Sequence, residues 1–154
     1  MSPTLLLGIV VMAIATDLLD GVVARKADTT SPRGLLFDHT TDFLFVTSGL
    51  TGAAVAGLLS PALPMLVVVA FSQYVLDSYW LNRDKQLRMS SLGRWNGIFY
   101  FVPLLLIAVS RFDALVEFGQ VLSILIMSLT YLLILSTIAS IIDRTLAPRR
   151  LAEP

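Results

Sequence analysis

The chain has 154 residues, 56% of them hydrophobic and 14% charged, with a mean hydropathy of +0.80, zero net charge at pH 7 and no cysteine. That composition excludes an ordinary soluble domain of this size, the charge balance argues against a nucleic-acid partner, and the lack of cysteine rules out disulfides and thiolate metal sites. His39 is the one histidine, so any metal centre must draw chiefly on oxygen ligands.

The apolar residues fall into five runs, and the sequence predicts an all-α, polytopic transmembrane bundle of five helices. The first run, 4–24, opens near Pro3, a residue suited to a first helical turn, and closes at Arg25 and Lys26. The second is 35–59, the third 62–80, the fourth 95–110 and the fifth 118–142. The fourth is short for the roughly 20 residues of a normal span, and it carries Pro103. No repeat or long linker divides the chain, so 1–154 reads as one membrane domain.

Charge separates the connections. Arg25, Lys26 and Arg33 lie between the first two runs, Arg83, Lys85, Arg88 and Arg94 between the third and fourth, and Arg144, Arg149 and Arg150 after the fifth. The intervening connections are Ser60-Pro61 and a stretch in which Arg111 is offset by Asp113 and Glu117. By the positive-inside rule the basic set and the C-terminus face the cytoplasm, with Trp80 and Trp95 in the interfacial belt. This leaves the N-terminus outside without a basic segment before the first span. A cleaved signal peptide explains that poorly, because the run is too long and lacks a charged lead. In the second run, Ser48, Gly49, Thr51, Gly52, Ala53, Ala56 and Gly57 form a small-residue surface. It suits close helix packing within the bundle or, as the alternative, a homodimer seam.

Four carboxylates stand out. Asp17 and Asp20 share a face near the cytoplasmic end of the first helix with Gly21 and Ala24, while Asp38 and Asp42 are one turn apart near the start of the second. A short polar connection with Pro32 and Gly34 folds the two helices antiparallel, so the acidic faces are expected to meet. An ionised aspartate deep in a membrane costs about 2.5 to 3.5 kcal/mol, and crowding adds repulsion. One or two divalent cations relieve both, and carboxylate-held metal pairs clamp phosphate oxygens during in-line displacement. The alternatives are helix-end charges paired with nearby arginines, or the ion site of a cation transporter or channel. His39 is about 100 degrees around the helix from Asp38 and need not face the metals. Asp77 is read mainly as a polar contact inside the bundle.

The pattern Asp-x-x-Asp-Gly-x-x-Ala-Arg, eight residues, then Gly-x-x-x-Asp-x-x-x-Asp is filled by Asp17, Asp20, Gly21, Ala24, Arg25, Gly34, Asp38 and Asp42. It resembles the signature of the CDP-alcohol phosphatidyltransferases. The resemblance implies transfer of a substituted phosphate from a CDP-linked donor, commonly CDP-diacylglycerol, to an alcohol, with release of CMP. It implies two Mg2+ or Mn2+ ions on Asp17, Asp20, Asp38 and Asp42, with Asp42 also as general base. Gly21, Arg25, Gly34 and, more weakly, Ser31 are then donor contacts. A softer likeness runs from Ser90 to Asn96: many members carry Ser-x-Leu-Gly-Lys-x-Lys-Thr there, and Arg94 and Asn96 replace the lysines. Arg94 is the candidate for a phosphate on the acceptor or a lipid head group, with membrane anchoring as its other reading. Members of the family resemble six-helix bundles, with a helix ahead of the Asp-x-x-Asp helix. An upstream helix is therefore expected to be missing from this chain, and an inactive paralogue serving as a partner subunit is a further alternative. The acceptor is open among glycerol phosphate, inositol or its phosphate, serine, choline, ethanolamine and a second phospholipid.

Overall fold

The computed structural model describes residues 2–26, 32–77 and 91–150. These are helical throughout apart from short connections, with no strand among the described residues. Helix α1 runs Pro3–Lys26 and α2 Pro32–Val55; α3 is Ala62–Leu76, α4 Ser91–Phe99 and α5 Phe101–Val109. A 3-10 turn, Asp113–Phe118, leads into α6, Gly119–Arg150.

Local chemistry accounts for the boundaries. Ser2 caps α1, its Oγ accepting the Leu5 N–H at 3.3 Å, and Pro3 takes the first helical position, where no backbone donor is missed. The second helix stops earlier than its apolar run. Gly57, at φ +71°, turns the chain out of the helix; its N–H donates to the Ala54 carbonyl at 3.0 Å and the Leu58 N–H to Ala53 at 3.0 Å. That is a Schellman ending, which only a residue tolerant of positive φ closes without strain. The expected fourth span starts earlier than its apolar run, at Ser91, and is broken in two at Tyr100. Pro103 has no N–H for the Phe99 carbonyl, and its ring crowds that carbonyl. The Tyr100 N–H still bonds Asn96 O at 2.9 Å, so α4 and α5 continue as one interrupted rod.

Among the described residues five rods thus form the bundle. Helix α6 packs on α3, α4 and α5, while α2 packs on α3 and α5. Helix α1 lies chiefly against α5 and touches α2 less. Whether the acidic faces of α1 and α2 meet lies outside the described residues, because the Asp17 and Asp20 side chains do. Leu50, Leu63, Leu133, Val10, Val67 and Leu104 centre the core. Gly49 lets α2 approach α5: a Cβ there would sit 2.9 Å from Leu104 Cδ1. Gly52, on the same small-residue surface, has nothing within 4 Å.

Large apolar side chains also cover much of the described exterior. Val55 is 86% exposed and Met65 and Leu135 are 69% exposed, whereas Thr130 and Thr137 on α6 are completely buried. This inverts the soluble pattern. The buried threonines close on their own helix, Thr130 Oγ1 donating to Ile126 O at 2.7 Å and Thr137 Oγ1 to Leu133 O at 2.6 Å, as polar groups must where no water reaches. Leu92–Val109 and Asp113–Leu146 are long and apolar enough to cross a bilayer.

Candidate active site

A cavity of about 480 Å³ lies at the end of the bundle where α1, α3 and α6 finish and α2 and α4 begin. Its walls include Ile14 of α1, His39, Asp42 and Phe43 of α2, Gln73 and Tyr74 of α3, Gly93, Arg94 and Asn96 of α4, and Ser140 and Arg144 of α6. Polar side chains therefore converge from four rods into an otherwise apolar chamber.

On α2, one turn of helix brings Asp38, His39 and Asp42 together: one ligand atom from each lies within 4.8 Å of the other two, and all three are half-buried. Two carboxylates this close repel unless a proton or cation intervenes. The two oxygens and one imidazole nitrogen could bind a divalent metal, with the oxygen share that Mg2+ or Mn2+ favours. Helical spacing left open whether His39 faces the carboxylates, and it joins them. A rotation of 100 degrees is small beside the reach of an imidazole on the same turn. Its ring also meets Tyr74 in a T-shaped contact, centroids 6.0 Å apart.

Two cationic side chains also line the cavity. Arg94, expected from the softer motif, lines the cavity, and Arg144 joins it from α6. Arg144 was read as a charge beyond the last span. The helix instead continues past Ile142 to Arg150, because nothing in Asp143-Arg144-Thr145-Leu146 stops a helix once hydropathy falls. The guanidinium lies 5.1 Å from the Tyr74 ring centroid and 4.0 Å from Asp77 Oδ2. A cation over an aromatic face with a carboxylate beside it is held in position. Asp77 accordingly acts as the polar bundle contact anticipated for it.

Gln73 and Asn96 complete the polar lining. Gln73 Nε2 donates to Ile141 O at 3.3 Å and to Thr145 Oγ1 at 3.0 Å. Asn96 Oδ1 accepts from Ser136 Oγ at 2.6 Å, and Tyr100 OH bonds Thr137 Oγ1 at 2.7 Å. Asn96 was noted only as a replaced lysine, and Gln73 carried no sequence signal beyond being an amide in an apolar run.

The remaining expected residues stand as follows. Gly34 is exposed in the first turn of α2, four residues before Asp38. Asp17, Asp20, Gly21 and Arg25 lie on the C-terminal part of α1, with Asp17 three residues beyond the cavity-lining Ile14, but their side chains fall outside the described residues. Ser31, Trp80, Arg83, Lys85 and Arg88 also lie outside the described residues, as do the side chains of Arg33, Arg149 and Arg150. Trp95 is 59% exposed and stacked with Phe99.

Among known proteins, the model of one family, described as CDP-alcohol phosphatidyltransferase, matches residues 2–143. No curated protein and no solved structure is similar enough to add to that match.

Proposed function

Since the chain belongs to the CDP-alcohol phosphatidyltransferase family, we propose that it transfers a substituted phosphate from CDP-diacylglycerol to a small anionic alcohol, releasing CMP. Membership makes it a transferase of phospholipid biosynthesis, in a family that is generally metal-dependent. Its apolar helices together with the family make it a membrane protein. The observation that carries the finer reading is the shared cavity lined by Asp42 from one side and by Arg94 and Arg144 from another.

In this reading Asp42 takes the proton of the acceptor hydroxyl. The hydroxyl oxygen attacks the phosphorus that carries the diacylglycerol, the bond from that phosphorus to the bridging diphosphate oxygen breaks, and CMP leaves with the electron pair. Arg94 and Arg144 hold the acceptor's anionic group, and the contacts of Arg144 with Tyr74 and Asp77 fix its direction. Gly21, Gly34, Arg25 and Ser31 serve the donor nucleotide: the glycines admit it closely, and Arg25 pairs with a diphosphate oxygen. Asp17, Asp20, Asp38 and Asp42 would hold two divalent ions, which when bound would neutralise the diphosphate charge. The chain is one membrane domain of five passes with this end in the cytoplasm, a reading supported by the distribution of Arg and Lys among its connections.

Purified full chain in micelles of CDP-diacylglycerol with Mg2+ or Mn2+ is expected to release CMP when offered a panel of alcohols, and EDTA is expected to stop the release. No CMP across the panel, or cation flux in liposomes without nucleotide dependence, would refute the assignment.

A further inference from the structure

Two residues of the cavity wall carry amide atoms that the transfer reaction does not itself use. Asn96 on α4 is 4% exposed, and its Oδ1 is engaged by Ser136 Oγ at 2.6 Å, while its Nδ2 is buried and meets no hydrogen-bond partner among the described residues. Gln73 on α3 is the complement. Its Nε2 is used by Ile141 O and Thr145 Oγ1 of α6, and its Oε1 is buried without a partner among the described residues. Both residues line the cavity that Asp42, Arg94 and Arg144 share. A buried amide group without a partner is costly, and a bound ligand recovers that cost if it brings the matching atom.

We propose that Asn96 and Gln73 bind a hydroxyl of the acceptor other than the one that reacts, so that the acceptor is a phosphorylated polyol rather than an amino alcohol. The inference rests on the transferase reading and narrows its substrate. A hydroxyl both accepts and donates, so it answers the unused N–H of Asn96 and the unused carbonyl oxygen of Gln73 once these amides turn toward the cavity. Helix α6 orients both amides, through Ser136 for one and through Ile141 and Thr145 for the other. Asn96 stands where the softer motif has a lysine. The neutral amide leaves the phosphate to Arg94 and Arg144 and suits an uncharged group beside it. Ethanolamine and choline carry one hydroxyl, which the reaction consumes, and a cationic nitrogen that the two arginines repel. Serine carries its anion as a carboxylate but has no second hydroxyl.

The test uses the full chain in CDP-diacylglycerol micelles with sn-glycerol 3-phosphate, myo-inositol 1-phosphate, ethanolamine, serine and 3-hydroxypropyl phosphate. The last keeps the phosphate and one primary hydroxyl and has no other. At least one polyol phosphate should exceed 3-hydroxypropyl phosphate in kcat/KM by roughly tenfold to a hundredfold, since a site built to bond a hydroxyl discriminates against its absence. In Asn96→Leu that advantage should shrink to within about threefold, chiefly through KM. Asn96→Asp, which keeps an oxygen for Ser136, should lose the advantage as well, and Gln73→Met should reduce it. Equal use of 3-hydroxypropyl phosphate and the polyol phosphates by the unaltered protein, preference for an amino alcohol, or an Asn96→Leu loss shared alike by every acceptor overturns the proposal. Thermal shift of the same protein with each phosphate separates this inference from the reaction. Stabilisation by a polyol phosphate beyond that by 3-hydroxypropyl phosphate, without CMP release from any acceptor, leaves the polyol site standing and removes the transferase. CMP release with no such selectivity in turnover or stabilisation does the reverse.

Discussion

Helix α6 is two different objects along its length. In its first half Thr130 bonds the carbonyl of its own preceding turn, and neighbours such as Ile124 and Leu132 face outward at 67% and 62% exposure. In its second half the polar groups reach other rods: Ser136 to Asn96, Thr137 to Tyr100, the Ile141 carbonyl and Thr145 to Gln73, and Arg144 to Asp77. Self-satisfied hydroxyls let a helix sit in hydrocarbon and pack by shape. Cross-helix bonds fix the relative position of three rods, as a binding chamber needs. One half maintains the bundle and the other aims side chains.

Substitutions should fall on either side of that division. The largest effect is expected at Asp42→Asn, with loss of CMP release by roughly a hundredfold to ten-thousandfold and little change in thermal unfolding in detergent, the signature of a general base. Full activity in this variant would remove Asp42 from that role. Next is Arg144→Met, which should raise the acceptor KM by roughly tenfold or more, a loss of about 1.4 kcal/mol for each factor of ten. It should also lower stability, because Asp77 loses its cation. Gly49→Val, outside the cavity, should reverse the balance. The new side chain meets Leu104, which costs about 1 to 3 kcal/mol in unfolding, while acceptor KM in the folded fraction stays unchanged. A shift in KM there would show that the packing half and the chamber are coupled. Smallest is Thr130→Val, expected to cost less than about 1 kcal/mol and to leave kinetics alone.

The chamber was partly legible in the sequence because helical spacing is a local rule. Asp38 and Asp42 at i and i+4 had to share a face, and the structure adds His39 to them. Arg94 could be singled out from its place in a short motif, and it lines the cavity. Arg144 was hidden because a hydropathy reading ends where charge begins, whereas a helix ends only where backbone bonding fails. The same distinction explains α2, whose apolar run reaches Leu59 although Gly57 has already turned the chain. Pro103 marked the fourth span as irregular, but the break falls at Tyr100, because a proline acts on the carbonyl four residues earlier. Long-range pairings such as Gln73 with Thr145 depend on which rods become neighbours, which no local pattern encodes.

The interruption at Tyr100 also has a mechanical consequence. Bending an unbroken helix strains backbone bonds around the bend, whereas the Phe99 carbonyl has no bond with residue 103 to lose. Helix α4 is therefore the compliant segment of its rod, hinged on an α5 anchored by Phe101, Leu104 and Ile107 in the core. Arg94 and Asn96 ride on the compliant side and Leu104 on the fixed one. The α4 wall proposed for the acceptor therefore keeps its place through the Asn96–Ser136 bond to α6 more than through the rod beneath it.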